Sequence, residues 1–388
     1  LIRSSATSAC AKRKRARSCA NRGASTQTHN GKSARDGHVQ DQETISQLLE
    51  GVRRFVNERL IPLEAKVSEE DAIPADALAE MRALGMFGLS IPEEYGGLGL
   101  SMEDECRTMF EFCRCSPAFR SAFGTNVGIG SQGLVMFGSK AQKEKWLPGI
   151  ASGELVTSFA LTEPEAGSDS GAVRTKAERD GDDYVLNGTK RYITNANRAS
   201  LFTVMARTNA EVKGGGGVSA FVVPADLPGL SVGKPEKKMG QQGAHICDVN
   251  FDNVRVPVAN RLGEEGQGFR IAMQVLDRGR LHISSVCVGV AERLIEESVR
   301  YAAERKQFGQ AIANFQMIQA MLADCRAEAN AGRAMVLDAA RKRDAGEDVT
   351  MDAAAAKLFC SEMVGRVADR AVQIFGGSGY VADHGIER

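Results

Sequence analysis

The stretch richest in possible chemistry runs Phe159-Ala160-Leu161-Thr162-Glu163-Pro164-Glu165-Ala166-Gly167-Ser168-Asp169, where hydroxyls, carboxylates and a glycine follow an apolar run. Polar groups held at the edge of a rigid strand suit ligand binding. The same residues also suit a capped loop in which Thr162, Ser168 and Asp169 satisfy their own backbone. Tyr192-Ile193-Thr194 offers an aromatic ring and a hydroxyl. Such a ring can stack on a flat ligand or pack within a sheet. Arg305, in Glu304-Arg305-Lys306, has a planar fork that makes two charge-assisted bonds to a phosphate. A solvated cation near a helix C-terminus reads the same way. Asp277 and Arg280 stand three apart, the spacing of an intrahelical ion pair or of two groups facing one ligand.

Other matches are set aside by their context. Gly128-Ile129-Gly130-Ser131-Gln132-Gly133 fits the dinucleotide fingerprint literally, but no strand precedes it. Gly377-Ser378-Gly379-Tyr380-Val381-Ala382 follows a helical pattern and reads as a helix terminus. His245 and His282 have no nucleophile or metal partner near them in sequence, which favours packing or surface roles. The nine cysteines are scattered and lack paired zinc-ligand spacing, so reduced thiols and no metal are expected.

The elements that must position these residues follow from periodicity. Ile45, Leu48, Leu49, Val52, Phe55 and Val56 recur at helical spacing, and short helical patterns separated by Pro74, Pro92, Pro117 and Pro148 fill residues 39–156. Residues 157–261 change to strand texture. There Asp183-Tyr184-Val185-Leu186, Asn187-Gly188 and Thr189-Lys190-Arg191-Tyr192-Ile193 read as a tight hairpin, and Leu201–Ala206 and Ala220–Val223 extend the sheet. Strands without intervening helices argue against a parallel sheet. Residues 262–388 return to helical period, in units from Phe269 to about Lys306, Phe315 to about Arg343 and Ala353 to about Phe375, which suggests a bundle. The fold expected is α+β and multidomain: an N-terminal helical domain, a middle antiparallel, barrel-like β domain and a C-terminal helical bundle. Residues 1–38 carry Arg3, Lys12, Arg13, Lys14, Arg15, Arg17 and Arg22 with no acid before Asp36, and are expected to be a disordered basic extension. A mitochondrial transit peptide and an over-extended bacterial reading frame share that composition, so the compartment expected is the mitochondrial matrix or the bacterial cytoplasm.

The chain resembles the acyl-CoA dehydrogenase family. The resemblance rests on Leu161-Thr162-Glu163-Pro164 with Ala166-Gly167-Ser168-Asp169, and on four further stretches: Ile91-Pro92-Glu93-Glu94-Tyr95-Gly96-Gly97, Tyr192-Ile193-Thr194-Asn195, Glu304-Arg305-Lys306-Gln307-Phe308-Gly309 and Gln373-Ile374-Phe375-Gly376-Gly377. It implies the same order of domains. It also implies FAD between the β domain and the bundle, with Phe159, Leu161, Thr162, Ser168, Tyr192, Ile193 and Thr194 lining the ring and pyrophosphate; many relatives have Trp where this chain has Tyr192. Arg305, Phe308, Phe315, Gln316, Gln373, Ile374, Phe375, Gly376 and Gly377 match positions that hold a neighbouring subunit's FAD, which implies a homotetramer built as a dimer of dimers. Ser168, Asp277 and Arg280 would approach the acyl-CoA.

The implied reaction is α,β-dehydrogenation of a saturated acyl-CoA, of short or medium chain, to trans-2-enoyl-CoA, with an electron-transfer flavoprotein as acceptor. An acyl-CoA oxidase or flavin monooxygenase on the same fold, or a non-catalytic acyl-CoA or FAD-binding scaffold, are rival readings. Most relatives take their catalytic base from a Tyr-Glu-Gly-Thr-like motif after the Gly-Gly segment, and one branch from a glutamate at the position of Gly279. The sequence has neither, so the catalytic Glu is expected beyond Arg388, in a C-terminal continuation of the chain. Composition excludes other partners: Lys plus Arg equals Asp plus Glu at 49 each, so no global field draws the chain to nucleic acid, and no apolar stretch is long enough for membrane insertion.

Overall fold

A computed structural model describes residues 42–388; the basic extension at 1–38 lies outside the described residues. The first helices are α1 Gln42–Phe55, α2 Glu64–Glu70, α3 Ala75–Ala83, α4 Met102–Phe112, α5 Pro117–Val127, α6 Gln132–Phe137 and α7 Lys140–Ser152. Three of their starts are set by side chains that accept from orphan backbone N–H groups. Ser101 and Ser116 do so for α4 and α5, and Ser139 with Gln142 forms a reciprocal capping box on α7. The apolar faces of α1 to α5 meet around Phe87, Phe112, Phe119 and Phe123, while α6 and α7 pack with the sheet.

The sheet comprises β1 Thr157–Ala160, β2 Lys176–Asp180, β3 Asp183–Thr194, β4 Leu201–Arg207, β5 Val218–Pro224, β6 Leu230–Val232, β7 Ile246–Pro257 and β8 Arg261–Leu262. Its order is β6-β7-β3-β2-β4-β5-β8, with β1 beside β4. This is an open path, barrel-like only loosely. The pairs are antiparallel except that β1 runs parallel to β4, as does a single contact between β2 and β4.

The hairpin expected at Asn187-Gly188 is absent. β3 runs through these residues as one strand of 12 residues, and its register against β7 slips there in a bulge. The turn lies instead at Gly181-Asp182, with Asp180 opposite Asp183 and Gly181 at φ 62°. An Asn-Gly pair supplies positive φ to a bulge as readily as to a turn. Close approach decides it: a Cβ at Gly188 would stand 2.6 Å from Thr175 Oγ1.

After the sheet come α8 Gly268–Glu304, a small hairpin of β9 Lys306–Gln307 and β10 Gln310–Ala311, then α9 Gln316–Asp344 and α10 Thr350–Phe375. The three helices pack around Val288, Val336, Cys360 and Met363. The N-terminal half of α8 instead lies on the sheet, where Ile271, Ala272 and Val275 share a core with Leu134, Phe159 and Leu161. Gly128–Gly133 joins α5 to α6 without a preceding strand, and Gly130 is there for packing, since a Cβ would fall 2.4 Å from Thr157 Oγ1. Among the described residues no helix is long and apolar enough to cross a membrane, and no group of His, Cys, Asp and Glu could hold a metal.

Candidate active site

The loop after β1 is pinned by a buried ion pair. Glu163 and Ala166 exchange backbone hydrogen bonds of 3.0 and 3.2 Å and close a turn. The Glu163 carboxylate accepts from Lys190 Nζ at 2.8 Å and from Thr175 N at 2.9 Å, and Lys190 Nζ also donates to Leu161 O at 3.0 Å. Both side chains are buried. Burial pulls the Lys190 ammonium down to about 8, a fall that Glu163 only partly offsets. For Glu163 burial opposes the charge, but Lys190 and the N–H donors outweigh it and hold the carboxyl below its ordinary value. A pair this buried contributes location more than stability. It fixes Leu161 and Thr162 against β3. No spacing rule links residues so far apart, so the sequence marks Glu163 within its motif but not its pairing with Lys190.

Opposite that loop, β3 carries a second bulge. Lys190 faces Val249 and Ile193 faces Cys247, so Arg191 and Tyr192 together oppose Asp248. Tyr192 has φ 59°, a region that disfavours any Cβ-bearing residue, and its side chain is 56% exposed. Its neighbours hold it there. The Arg191 guanidinium donates to Asp248 at 2.9 Å and lies 5.7 Å from the centre of the Tyr192 ring, while Arg191 N donates to Thr162 O at 2.8 Å. Asn195, at φ 61°, donates from Nδ2 to Ser121 O at 2.8 Å and to Thr125 Oγ1 at 2.9 Å, tying the end of β3 to α5.

Phe159, Leu161, Thr162, Tyr192, Ile193 and Thr194 line one cavity of about 340 Å3. Ser168 is exposed and does not line it; Gly167 and Ser170 take the loop's share. Phe159, Leu161 and Ile193 are buried and give an apolar floor, whereas the Thr162 and Thr194 hydroxyls have no partner among the described residues. A second cavity, of about 360 Å3, shares Thr125, Ile129, Thr194 and Leu276 with the first and runs between α5 and α8 past Gly279 and Arg280. Asp277 does not line it; its carboxylate accepts from Arg280 and, at 3.3 Å, from Thr350 Oγ1. No carboxylate lines either cavity among the described residues.

The remaining expected residues gather elsewhere, at the C-terminal ends of α8 and α10. Phe375 stacks on Tyr301 at 4.1 Å and 16°, which places Gln373–Gly377 beside the end of α8, where Arg305 is exposed. Ile374 is buried, while Gln373, Gly376, Gly377 and Gln316 are exposed. Phe308 is 93% exposed at φ 52° in the β9–β10 turn, with Phe315 edge-on at 6.0 Å. His245 bridges loops by contacting Asp71 O and Asn197 Nδ2, each at 2.9 Å.

Residues 42–154, 158–254 and 266–388 match the N-terminal, middle and C-terminal domains of acyl-CoA dehydrogenases. The chain belongs to the acyl-CoA dehydrogenase family. It is 39% identical to the human mitochondrial short-chain specific acyl-CoA dehydrogenase over 346 residues, covering 89% of this chain and 84% of the relative. The structure of butyryl-CoA dehydrogenase from Megasphaera elsdenii is similar at a TM-score of 0.85 and 34% identity, covering 89% of this chain and 93% of that one. A chain from a structure of the electron-transferring flavoprotein of Acidaminococcus fermentans reaches 0.87 at 36% identity, covering 90% and 92%. As an acyl-CoA dehydrogenase the chain is an oxidoreductase whose cofactor is FAD. The first cavity fits that group: an exposed aromatic, an apolar floor and two unengaged hydroxyls suit a flat ring with a hydrogen-bonding edge.

Proposed function

We propose that this acyl-CoA dehydrogenase converts a short or medium saturated acyl-CoA to the trans-2-enoyl thioester and passes the electrons to an electron-transfer flavoprotein. The observation that carries the reading is Tyr192, exposed and in the left-handed region at the wall of the first cavity. Strain of this kind persists where the surroundings over-determine it, as in ligand clamps. Tyr192, Phe159, Leu161 and Ile193 would hold the flavin ring, with Thr162 and Thr194 at its edge. The chemistry supplied by bound FAD is hydride acceptance. The acyl chain would enter the second cavity, where Ile129, Leu276 and Ile283 exclude water. Ser168, on the loop, and Arg280, oriented by Asp277, would meet the thioester end.

An α proton beside a thioester is weakly acidic, so its removal needs hydrogen-bond donors where charge develops on the carbonyl oxygen and a desolvated base. The lining residues supply the desolvation and none supplies the carboxylate. Arg305, Phe308, Phe315, Gln316 and Gln373–Gly377 would hold a neighbouring subunit's FAD within a homotetramer. The exposure of Arg305, Phe308, Gln316, Gln373, Gly376 and Gly377 away from both cavities supports this. Likeness to the short-chain and butyryl enzymes supports the chain length, and likeness to the flavoprotein-associated chain supports the acceptor.

The test is the visible spectrum of the protein purified with FAD and titrated anaerobically with saturated acyl-CoA thioesters. Retained flavin, bleached or perturbed most by the shorter thioesters, is expected. Absence of retained flavin overturns the cofactor site, and flavin that no thioester perturbs overturns the substrate assignment.

A further inference from the structure

Arg207, the last residue of β4, has no carboxylate partner among the described residues, and its guanidinium meets backbone carbonyls alone. Nε and Nη2 donate side by side to Val173 O at 2.9 Å and Gly171 O at 2.8 Å, in the loop that follows β1. Nη1 donates to Val212 O at 3.0 Å and Gly214 O at 3.2 Å, in the loop between β4 and β5. A planar fork with fixed donor directions grips two segments at once, which a compact ammonium cannot do with the same geometry. The second segment is itself seated. A Cβ at Gly215 would fall 2.4 Å from Phe269 Cγ, in the first turn of α8, and one at Gly171 would fall 3.3 Å from Gly215 N. Arg207 therefore ties the loop after β1 to the start of the helix whose Leu276 lines the first cavity.

What is tied is the arm of that loop that reaches the cavity. Gly167 and Ser170 line it, yet Gly167, Ser168 and Asp169 are exposed, and a Cβ at Gly167 would meet nothing within 4 Å. An arm without packing of its own is only as well placed as the residues behind it. On one side Glu163 and Ala166 exchange backbone bonds. On the other, opposite charges hold neighbouring backbone groups. The Glu163 carboxylate accepts from Arg174 N at 2.5 Å and Thr175 N at 2.9 Å, while Arg207 donates to the carbonyls of Gly171 and Val173 that precede them. We propose that Arg207 is a positioning residue for the cofactor: by fixing Gly171 and Val173 it sets the Gly167–Ser170 arm against the FAD that the first cavity receives. The proposal rests on the reading of that cavity as the flavin site.

The experiment compares the full chain with Arg207→Ala and Arg207→Lys. FAD affinity is read by quenching of flavin fluorescence, and the arm's contact with the ring by the fine structure of the flavin's visible band, each with millimolar guanidinium or matched sodium chloride. One charge-assisted bond corresponds to roughly 10- to 100-fold, so Arg207→Ala should bind FAD that much more weakly and blur the band. Guanidinium, which restores the lost donors, should recover part of both, and Arg207→Lys, with the charge but not the fork, should lie between. Circular dichroism reports that each variant has folded, and if Arg207→Ala does not fold, the same comparison on Arg207→Lys decides. Parental affinity and band shape in a folded variant overturn the proposal, as does a weakening that guanidinium leaves untouched and the band does not follow; either leaves the flavin site standing. A parent chain that retains no FAD overturns the site reading and this proposal with it.

Discussion

Tyr192 separates two demands that a residue usually meets together. In the left-handed region an L-residue with a Cβ is disfavoured by about 1–2 kcal/mol, and glycine relieves that at an entropic cost of about 0.5–1 kcal/mol. Because the ring is more than half exposed, its truncation removes little packing. Tyr192→Gly is therefore expected to leave the apo-protein as stable as the parent, or up to about 1 kcal/mol more so, while weakening FAD by about 3- to 10-fold through lost stacking. Tyr192→Trp should keep the flavin. Urea unfolding of the apo-protein and quenching of FAD fluorescence measure the two effects separately. A marked loss of stability with unaltered FAD affinity would show that Tyr192 is a packing residue of the sheet. The residue type at 192 was legible in the sequence as a possible stacking aromatic. Its backbone was not, because positive φ ordinarily announces itself through Gly, Asn or Asp, and here the bulge against Asp248 imposes it on a tyrosine.

At the scale of elements, what could be read was what repeats. The long apolar periods gave α8, α9 and α10 to within a few residues, because helix packing needs the same face on every turn. What hid was pairing. Asn187-Gly188 and Asp180-Gly181 are both turn signals, and choosing between them requires knowing that Gly188 lies against Thr175, a contact made only once β2 has turned at Gly181. The parallel run of β1 along β4 is likewise a long-range event without a local mark. These two glycines give the prediction proper to this scale. A Cβ at Gly188 falls 2.6 Å from Thr175 Oγ1 and 2.8 Å from its Cα, whereas one at Gly181 meets nothing within 4 Å. Gly188→Ala should cost about 2–3 kcal/mol through overpacking and distortion of the bulge, and Gly181→Ala only about 1 kcal/mol, from its positive φ. Urea midpoints decide the order. Equal losses would mean that the bulge at Gly188 yields freely and does not set the register that carries Lys190 and Tyr192.

For the whole molecule the open question is why so much apolar surface lies at one end of the bundle. Phe308 is 93% exposed and held at positive φ in the β9–β10 turn, and Met317, at the start of α9, is 80% exposed. Primed hairpin turns favour Asn or Gly at such positions, so an outward phenylalanine there is costly to an isolated chain. Burial against a second subunit removes the cost. Arg305 is exposed just before the β9–β10 hairpin and carries a planar guanidinium of the kind suited to a phosphate. If both belong to an interface that completes a neighbour's FAD site, assembly and cofactor retention are coupled, and two perturbations separate them. Replacing Phe308 and Met317 by Ser should lower the mass measured by light scattering, and FAD content should fall with it although both cavities are untouched. Arg305→Ala should leave the mass unaltered and weaken FAD by about 10- to 100-fold, the worth of a charge-assisted phosphate contact. A smaller species that keeps FAD as tightly as the parent would break the coupling, and an Arg305→Ala protein with parental FAD affinity would reduce Arg305 to a solvated cation at the end of α8.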